Sequence, residues 1–332
     1  MSSRTVYYLG PQGSFTHAAS KQFLPRVQRA SGETDSAAPS HDAASTVLQP
    51  AEHVSQIFEA VNVGGAFGVI AWENNVEGYV VPNLDGLIDA HNVVGCGRVS
   101  VNIEFDAFML PDDVAEPTEV TAHPHGLAQC RTFTQHLGLR EVPAASNAAA
   151  CRDIISGQIA LGPRICGELY GLATKQRGVQ DYQGSRTDFL LLAPRNEARS
   201  LMVGDQKPSA EYESVVAFIP LSTGAGVLAG LLDLLRDAGL NMTSFISRPI
   251  KGHDGTYSFI ATIDAAPWQS HFRSVLENII ERGDWVKTLA VYARQERPNP
   301  PVTSWMLPDG GAGGRDSLSA DETATRLQAQ FI

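Results

Sequence analysis

Long apolar runs are missing from this 332-residue sequence, and no stretch reaches the roughly 20 residues that a membrane-crossing helix requires. Cysteine is scarce and scattered. Cys96, Cys130, Cys151 and Cys166 form no CxxC pair and have no histidine at zinc-finger spacing. That removes a zinc-organised or disulfide-stapled fold and leaves four buried thiols in a reducing compartment as the expectation. Positive charge is in short supply: 25 Lys and Arg stand against 36 Asp and Glu, for a formal net charge of −11. Such a chain repels phosphate backbones and anionic membrane surfaces, so neither nucleic acid nor membrane is an expected partner. The opening MSSRTVYYLG lacks the apolar core of a signal peptide, and a cytoplasmic location is expected.

What is present is globular: 43% hydrophobic and 18% charged residues, enough to bury a core. The length suits two domains and a tail. An apolar strand from Val6 to Leu9 runs into the turn Gly10-Pro11-Gln12-Gly13, with Ser14 placed as the N-cap of a helix from Phe15 to Leu24. Residues 29–40 hold too little apolar content to pack and read as a surface excursion. The periodicity then predicts a helix over 54–61, a buried strand over 67–71, a helix after Gly78 and an alternating strand over 101–110. Helices over 126–137, 148–156 and 164–170 and strands over 159–161 and 189–193 complete an α/β pattern.

Residues 198–213 carry neither hydrophobic period and are expected to link two domains, 1–197 and 214–297. The second has strands over 215–219, 243–247, 257–263 and 286–292 and helices over 227–238 and 271–281, giving the ferredoxin-like order β-α-β-β-α-β. Residues 298–332, rich in proline and then glycine, are expected to be a flexible tail with a weak helix over 320–331.

Several segments, in order, resemble prephenate dehydratases. YLGPQGSFTHAA from Tyr8 looks like the family's glycine loop, ENNVEGYVVPNLDGL from Glu73 like its Glu-Asn-Ser-x-x-Gly segment, and AHPHGLAQC from Ala122 like its His-Pro segment. ELYGL from Glu168 is similar to a further family segment, and SRTDF from Ser185 to the Thr-Arg-Phe signature. NMTSFISRP from Asn241 resembles the Glu-Ser-Arg-Pro motif of an ACT regulatory domain. The resemblance implies a two-lobed α/β catalytic domain with its substrate, prephenate, in the cleft between lobes. An ACT domain that senses phenylalanine would follow, usually in a homo-oligomer, and no metal or organic cofactor is implied.

Prephenate carries two carboxylates and a 4-hydroxyl, so its pocket needs donors at fixed positions. Gly13 and Ser14 can offer the first amides of a helix, or form an ordinary capped turn. Glu73, Asn74 and Asn75 follow a buried strand, the end at which open α/β sheets place ligands. His123, Ser146 and Asn147 precede helices and serve either as caps or as substrate contacts. The full expectation is Thr187, Asp188, Glu73 and Asn75 in catalysis, with Gly13, Ser14, Asn74, Gly78, His123, Ser146, Asn147, Arg186 and Phe189 contacting substrate. Thr187 matches the threonine to which the resemblance assigns catalysis.

Three positions depart from the family pattern. Asn75 replaces a serine, Asp188 an arginine, and Ile246 the acid of the regulatory motif. Asp188 would set an anion beside a dianionic substrate, with Arg186 supplying the missing cation through a local bulge or register change, or Asp188 held protonated, as the alternatives. These departures make a non-aromatising prephenate decarboxylase the leading expectation, with dehydratase and a catalytically silent sensor as rivals. Gly226, Val227, Leu228, Asn241, Ser247 and Arg248 are the expected regulatory residues, with phenylalanine as the effector that Ile246 places in question.

Overall fold

A computed structural model of the chain describes residues 4–30, 46–203, 211–222 and 224–295, with a few isolated positions beyond. In chain order the elements begin β1 (Thr5–Leu9), α1 (Phe15–Ala30), β2 (Val47–Ala51), α2 (Val54–Val63), β3 (Ala66–Asn74), β4 (Gly78–Tyr79), α3 (Val81–Asp89) and β5 (Val93–Asn102). Next come β6 (Asp106–Met109), β7 (Glu119–Ala122), α4 (Pro124–Gln129), α5 (Arg131–Leu137), β8 (Arg140–Pro143), α6 (Asn147–Arg152), β9 (Gln158–Gly162), α7 (Ile165–Leu169) and β10 (Ala173–Gln176). The chain continues through β11 (Arg186–Pro194), α8 (Arg195–Val203), β12 (Tyr212–Ile219), α9 (Val227–Asp237), β13 (Met242–Pro249), β14 (Tyr257–Ile263), α10 (Ser270–Glu281) and β15 (Trp285–Ala293).

Two sheets result. The first lobe is built on β2-β1-β3-β11-β5, and the second on β10-β6-β9-β7-β8. The second lobe is one insertion between β5 and β11, which are themselves paired antiparallel, so the chain crosses between lobes twice, side by side. The Ile103 amide donates to the Ser185 carbonyl at 2.8 Å, tying the two crossings together beside β11. Each face of the first sheet has its own core. Phe189 and Leu191 pack with Phe23 and Val27 of α1 on one side; Leu190 and Leu192 pack with Ile57, Leu84 and Leu87 of α2 and α3 on the other.

The C-terminal layer continues the first sheet. Its strands run β13-β14-β12-β15, and β15 pairs parallel with β5 at Ala290 and Gly95. Glycine is required there, because a Cβ on Gly95 would lie 2.7 Å from the Ala290 methyl carbon. Val215, Ala217, Ile260, Leu289, Ala290 and Tyr292 of this layer share one core with α2 and α3. Burial of a large apolar side chain stabilises by roughly 1.5–3 kcal/mol, so this shared core holds the layer against the first lobe instead of leaving it on a tether.

Several sequence expectations need correction. The single strand over 101–110 is two strands in different sheets, since both halves keep a two-residue alternation while the chain passes between lobes. The helix over 126–137 breaks at Cys130 into α4 and α5. The linker expected from residue 198 starts inside α8, where Ala198 and Leu201 are buried against the α1 core. Strands β2, β7, β8 and β10, short and weakly patterned, were not anticipated. The surface excursion expected over 29–40 lies from residue 31 onward outside the described residues, as does most of 298–332, including the expected tail helix except Glu322 and Thr325. None of the described helices is long and apolar enough to cross a membrane.

Candidate active site

Strand β3 carries an irregularity where it meets β11. Asp188 pairs with Glu73 and Phe189 with Ala71, so Trp72 is an extra residue on β3. A two-for-one bulge resets the alternation of side chains. Trp72 joins the core under α2 and α3, and Asn74 emerges on the opposite face, in register with Thr187. There the Asn74 Nδ2 donates to Thr187 Oγ1 at 3.0 Å and reaches Ser185 Oγ at 3.4 Å. The amide is fixed in this orientation because its Oδ1 accepts the N–H groups of Val76 and Glu77 at 2.8 and 3.1 Å. Thr187 is 8% exposed and Asn74 equally so, which makes a dry, oriented hydroxyl whose oxygen accepts from an amide.

Glu73 pairs with Asp188 and Tyr79 across its strand neighbours and therefore belongs to the other face of the sheet from Thr187. Asn75 acts as a strap: its Nδ2 donates to the Gly184 carbonyl at 3.0 Å and its Oδ1 accepts the Arg186 N–H at 2.7 Å. Gly78 takes a positive φ of 81° in the hairpin that returns opposite Asn74.

Asp188 does not stand beside Thr187. It shares the face of Leu190, where Ser100 Oγ donates to its Oδ1 at 2.5 Å and Arg98 Nε lies 3.8 Å from its Oδ2. Arg98 in turn bonds Glu213 Oε2 at 3.0 Å and lies over the Tyr292 ring, 4.9 Å from the centroid. Arg186, one residue before Thr187, is on the Asp188 side, with Nε 3.8 Å from Oδ1. Alternation along β11 thus sends Asp188 to the face opposite Thr187, toward the C-terminal layer, so the two expected catalytic neighbours are not brought together. Phe189 belongs to the α1 core at 2% exposure.

The glycine loop is a junction between lobes. Gly13 has φ 89°, and a Cβ on it would lie 3.2 Å from Cys166 Sγ and Leu169 Cδ2 of α7, so only glycine fits. Tyr170 donates to the Gln12 carbonyl at 2.5 Å. Ser14 caps α1 by accepting the His17 N–H at 3.2 Å. His17, passed over in the sequence, accepts the Gly13 N–H on Nδ1 at 3.1 Å and stacks on Tyr8. Burial, with Lys21 nearby, holds its pKa below the usual histidine value, so the neutral acceptor is the stable form. The Gly13 amide is consequently engaged within the loop.

In the second lobe, His123, Ser146 and Asn147 come together at the ends of β7 and β8. Asn147 Oδ1 accepts the His123 N–H at 2.9 Å, His123 Nδ1 accepts from His125 N at 3.2 Å, and Ser146 caps α6 through Ala149 N at 2.9 Å. Desolvation and the neighbouring His125 lower the His123 pKa, again favouring the neutral ring. All four cysteines are buried, and burial pushes Cys96 and Cys130 up to about 12, which makes them poor nucleophiles.

The expected regulatory residues divide. Gly226 and Val227 line a cavity of about 380 Å³ at the start of α9, whereas Leu228 packs into the core beneath that helix. Asn241 donates to Asp264 Oδ2 at 2.6 Å. Ser247 pairs with Phe259 within the sheet. Arg248 makes two bonds, 3.0 and 2.9 Å, to Asp85 of α3, so its charge is spent on the first lobe. Ile246 packs against the core shared with α2 and α3.

A model of the prephenate dehydratase family matches residues 6–197. A prephenate dehydratase of Mycobacterium sp. strain JLS is 30% identical over 326 residues, covering 97% of this chain and 94% of its own. One from Amycolatopsis methanolica is 30% identical over 296 residues, covering 88% and 89%. Among solved structures, the prephenate dehydratase of Arthrobacter aurescens in complex with L-Phe superposes with a TM-score of 0.68 at 24% identity, covering 98% of this chain and 97% of that one. At that identity the superposition speaks for the fold.

Proposed function

This chain belongs to the prephenate dehydratase family and is a prephenate lyase, and from that premise we propose that it forms phenylpyruvate, with Thr187 as the acid that assists the departing hydroxyl. The observation carrying this reading is the buried Thr187 hydroxyl held by Asn74 at 3.0 Å. In the reaction the ring carboxylate leaves as carbon dioxide, its bonding pair moves through the ring diene, and the C4–O bond breaks as the ring becomes aromatic. The departing hydroxyl takes the Thr187 proton and leaves as water; a solvent proton restores Thr187. Negative charge grows on Oγ1 as that proton moves, and the Asn74 N–H already directed at Oγ1 stabilises it without reorganisation. General acid assistance of this kind is worth roughly 10²–10⁴ in rate.

The decarboxylase reading loses its physical motive. Asp188 is turned to the opposite face and Ile246 packs in the C-terminal layer, so neither shares the Thr187 face, and the Asn75 side chain is engaged by the backbone of Gly184 and Arg186. The positive end of the sixteen-residue α1 is proposed to offset a substrate carboxylate near the glycine loop. The cavity beside Gly226 is proposed for an amino-acid effector such as phenylalanine, the ligand of the Arthrobacter relative. Incubating purified protein with prephenate and weighing the product tests the main reading. Loss of both carbon dioxide and water is expected; loss of carbon dioxide alone would establish the decarboxylase, and no product would favour a sensor.

A further inference from the structure

Strand β11 is irregular on both edges. It is out of step with β3 between Asp188 and Phe189, and with β5 between Leu191 and Leu192. At each irregularity the ladder is locally disrupted, and the first lies directly beside Thr187 and Asp188. The register matters, because a slip by one residue exchanges faces and would put Asp188 where Thr187 stands. On the far face, Arg98 of β5, with a side chain 1% exposed, sits between Asp188 of β11 and Glu213 of β12, with side chains 6% and 5% exposed. Arg186 adds a second cation at 3.8 Å from Asp188. A slip would carry the Asp188 carboxylate away from Arg98 and onto the apolar face of Phe189 and Leu191, a buried anion parted from its cation, which is strongly disfavoured.

Resting on the role given to Thr187, we propose that Arg98 is a positioning residue that locks the register of β11 from behind, and that Glu213 extends this lock into the C-terminal layer. The layer thereby holds the reacting hydroxyl in place without touching the substrate. Because Glu213 lies on β12, it offers a perturbation well away from the reacting face. Steady-state kinetics following prephenate consumption, at a temperature where each variant is fully folded, should show kcat falling about tenfold to a hundredfold in Glu213→Gln and Arg98→Met, the scale of a 1 Å misplacement. KM should stay near the wild-type value, and Arg98→Lys should recover part of the loss. Hydrogen exchange should speed up at residues 187–189 in the same variants.

Lowered melting temperatures with kcat and residue 187–189 exchange unchanged would reduce the cluster to plain stabilisation and overturn the proposal. Should Arg98→Met fail to fold, the isosteric Glu213→Gln decides. The exchange measurement does not depend on turnover, so a wild-type protein inert toward prephenate would count against the catalytic reading and leave the register lock to be judged by exchange alone.

Discussion

Replacing Thr187 by valine removes one oxygen and keeps the shape of the side chain. In the folded protein that oxygen accepts from Asn74 Nδ2 at 3.0 Å; afterwards the amide retains only Ser185 Oγ at 3.4 Å. A buried donor left poorly partnered costs about 1–3 kcal/mol of stability. The rate should suffer more, since loss of a general acid worth 10²–10⁴ raises the barrier by about 3–5 kcal/mol at 1.36 kcal/mol per tenfold. The two effects separate experimentally: denaturant unfolding gives the first, and initial rates of phenylpyruvate formation below the melting transition give the second. KM should move little, and Thr187→Ser, which restores a hydroxyl, should regain most of the rate. A folded Thr187→Val protein with kcat within about threefold of wild type would refute the role of the hydroxyl, because general acid catalysis predicts at least a hundredfold.

Other perturbations probe the surroundings. Asp188→Arg should not raise phenylpyruvate output; it replaces the carboxylate facing Arg98 and Arg186 with a third guanidinium and should lower stability by about 3–5 kcal/mol, read as a fall in the unfolding midpoint. Asn75→Ser should leave the product's mass unchanged and cost about 1–2 kcal/mol, because two exposed strap bonds are lost and no reacting group moves. Lys287 donates to the Ile88 and Ala90 carbonyls at the end of α3, and desolvation, with Arg195 nearby, lowers its pKa from 10.5 to about 8. Between those values the unfolded chain holds a proton that the native protein has released, so wild-type stability gains from this group as pH rises from about 8 to 10.5. Unfolding measured across that window should show the gain in wild type and its absence in Lys287→Met.

Much of the architecture was legible because each element carries its own local signal. Ser14 after Gly13 marked the start of α1, Gly239 the end of α9, and the apolar run at 67–71 the centre of β3. The passage from β5 to β6 was hidden because the same two-residue alternation serves both strands. The Asn74–Thr187 contact was half legible: both residues stood out in their segments, but only pairing across 113 positions joined them. His17 was overlooked because a lone histidine on a helix face carries no message until its acceptor nitrogen is seen against the Gly13 amide.

By itself, the sequence determined the family, the alternating α/β pattern, and the identity of the hydroxyl at position 187, since these follow from residue types and spacings along the chain. Only the tertiary structure decided which way each of those residues faces. One extra residue at Trp72 and the alternation of β11 place Thr187 with Asn74 and send Asp188 to Arg98, a choice of side that depends on strand register and so on partners far away in the chain.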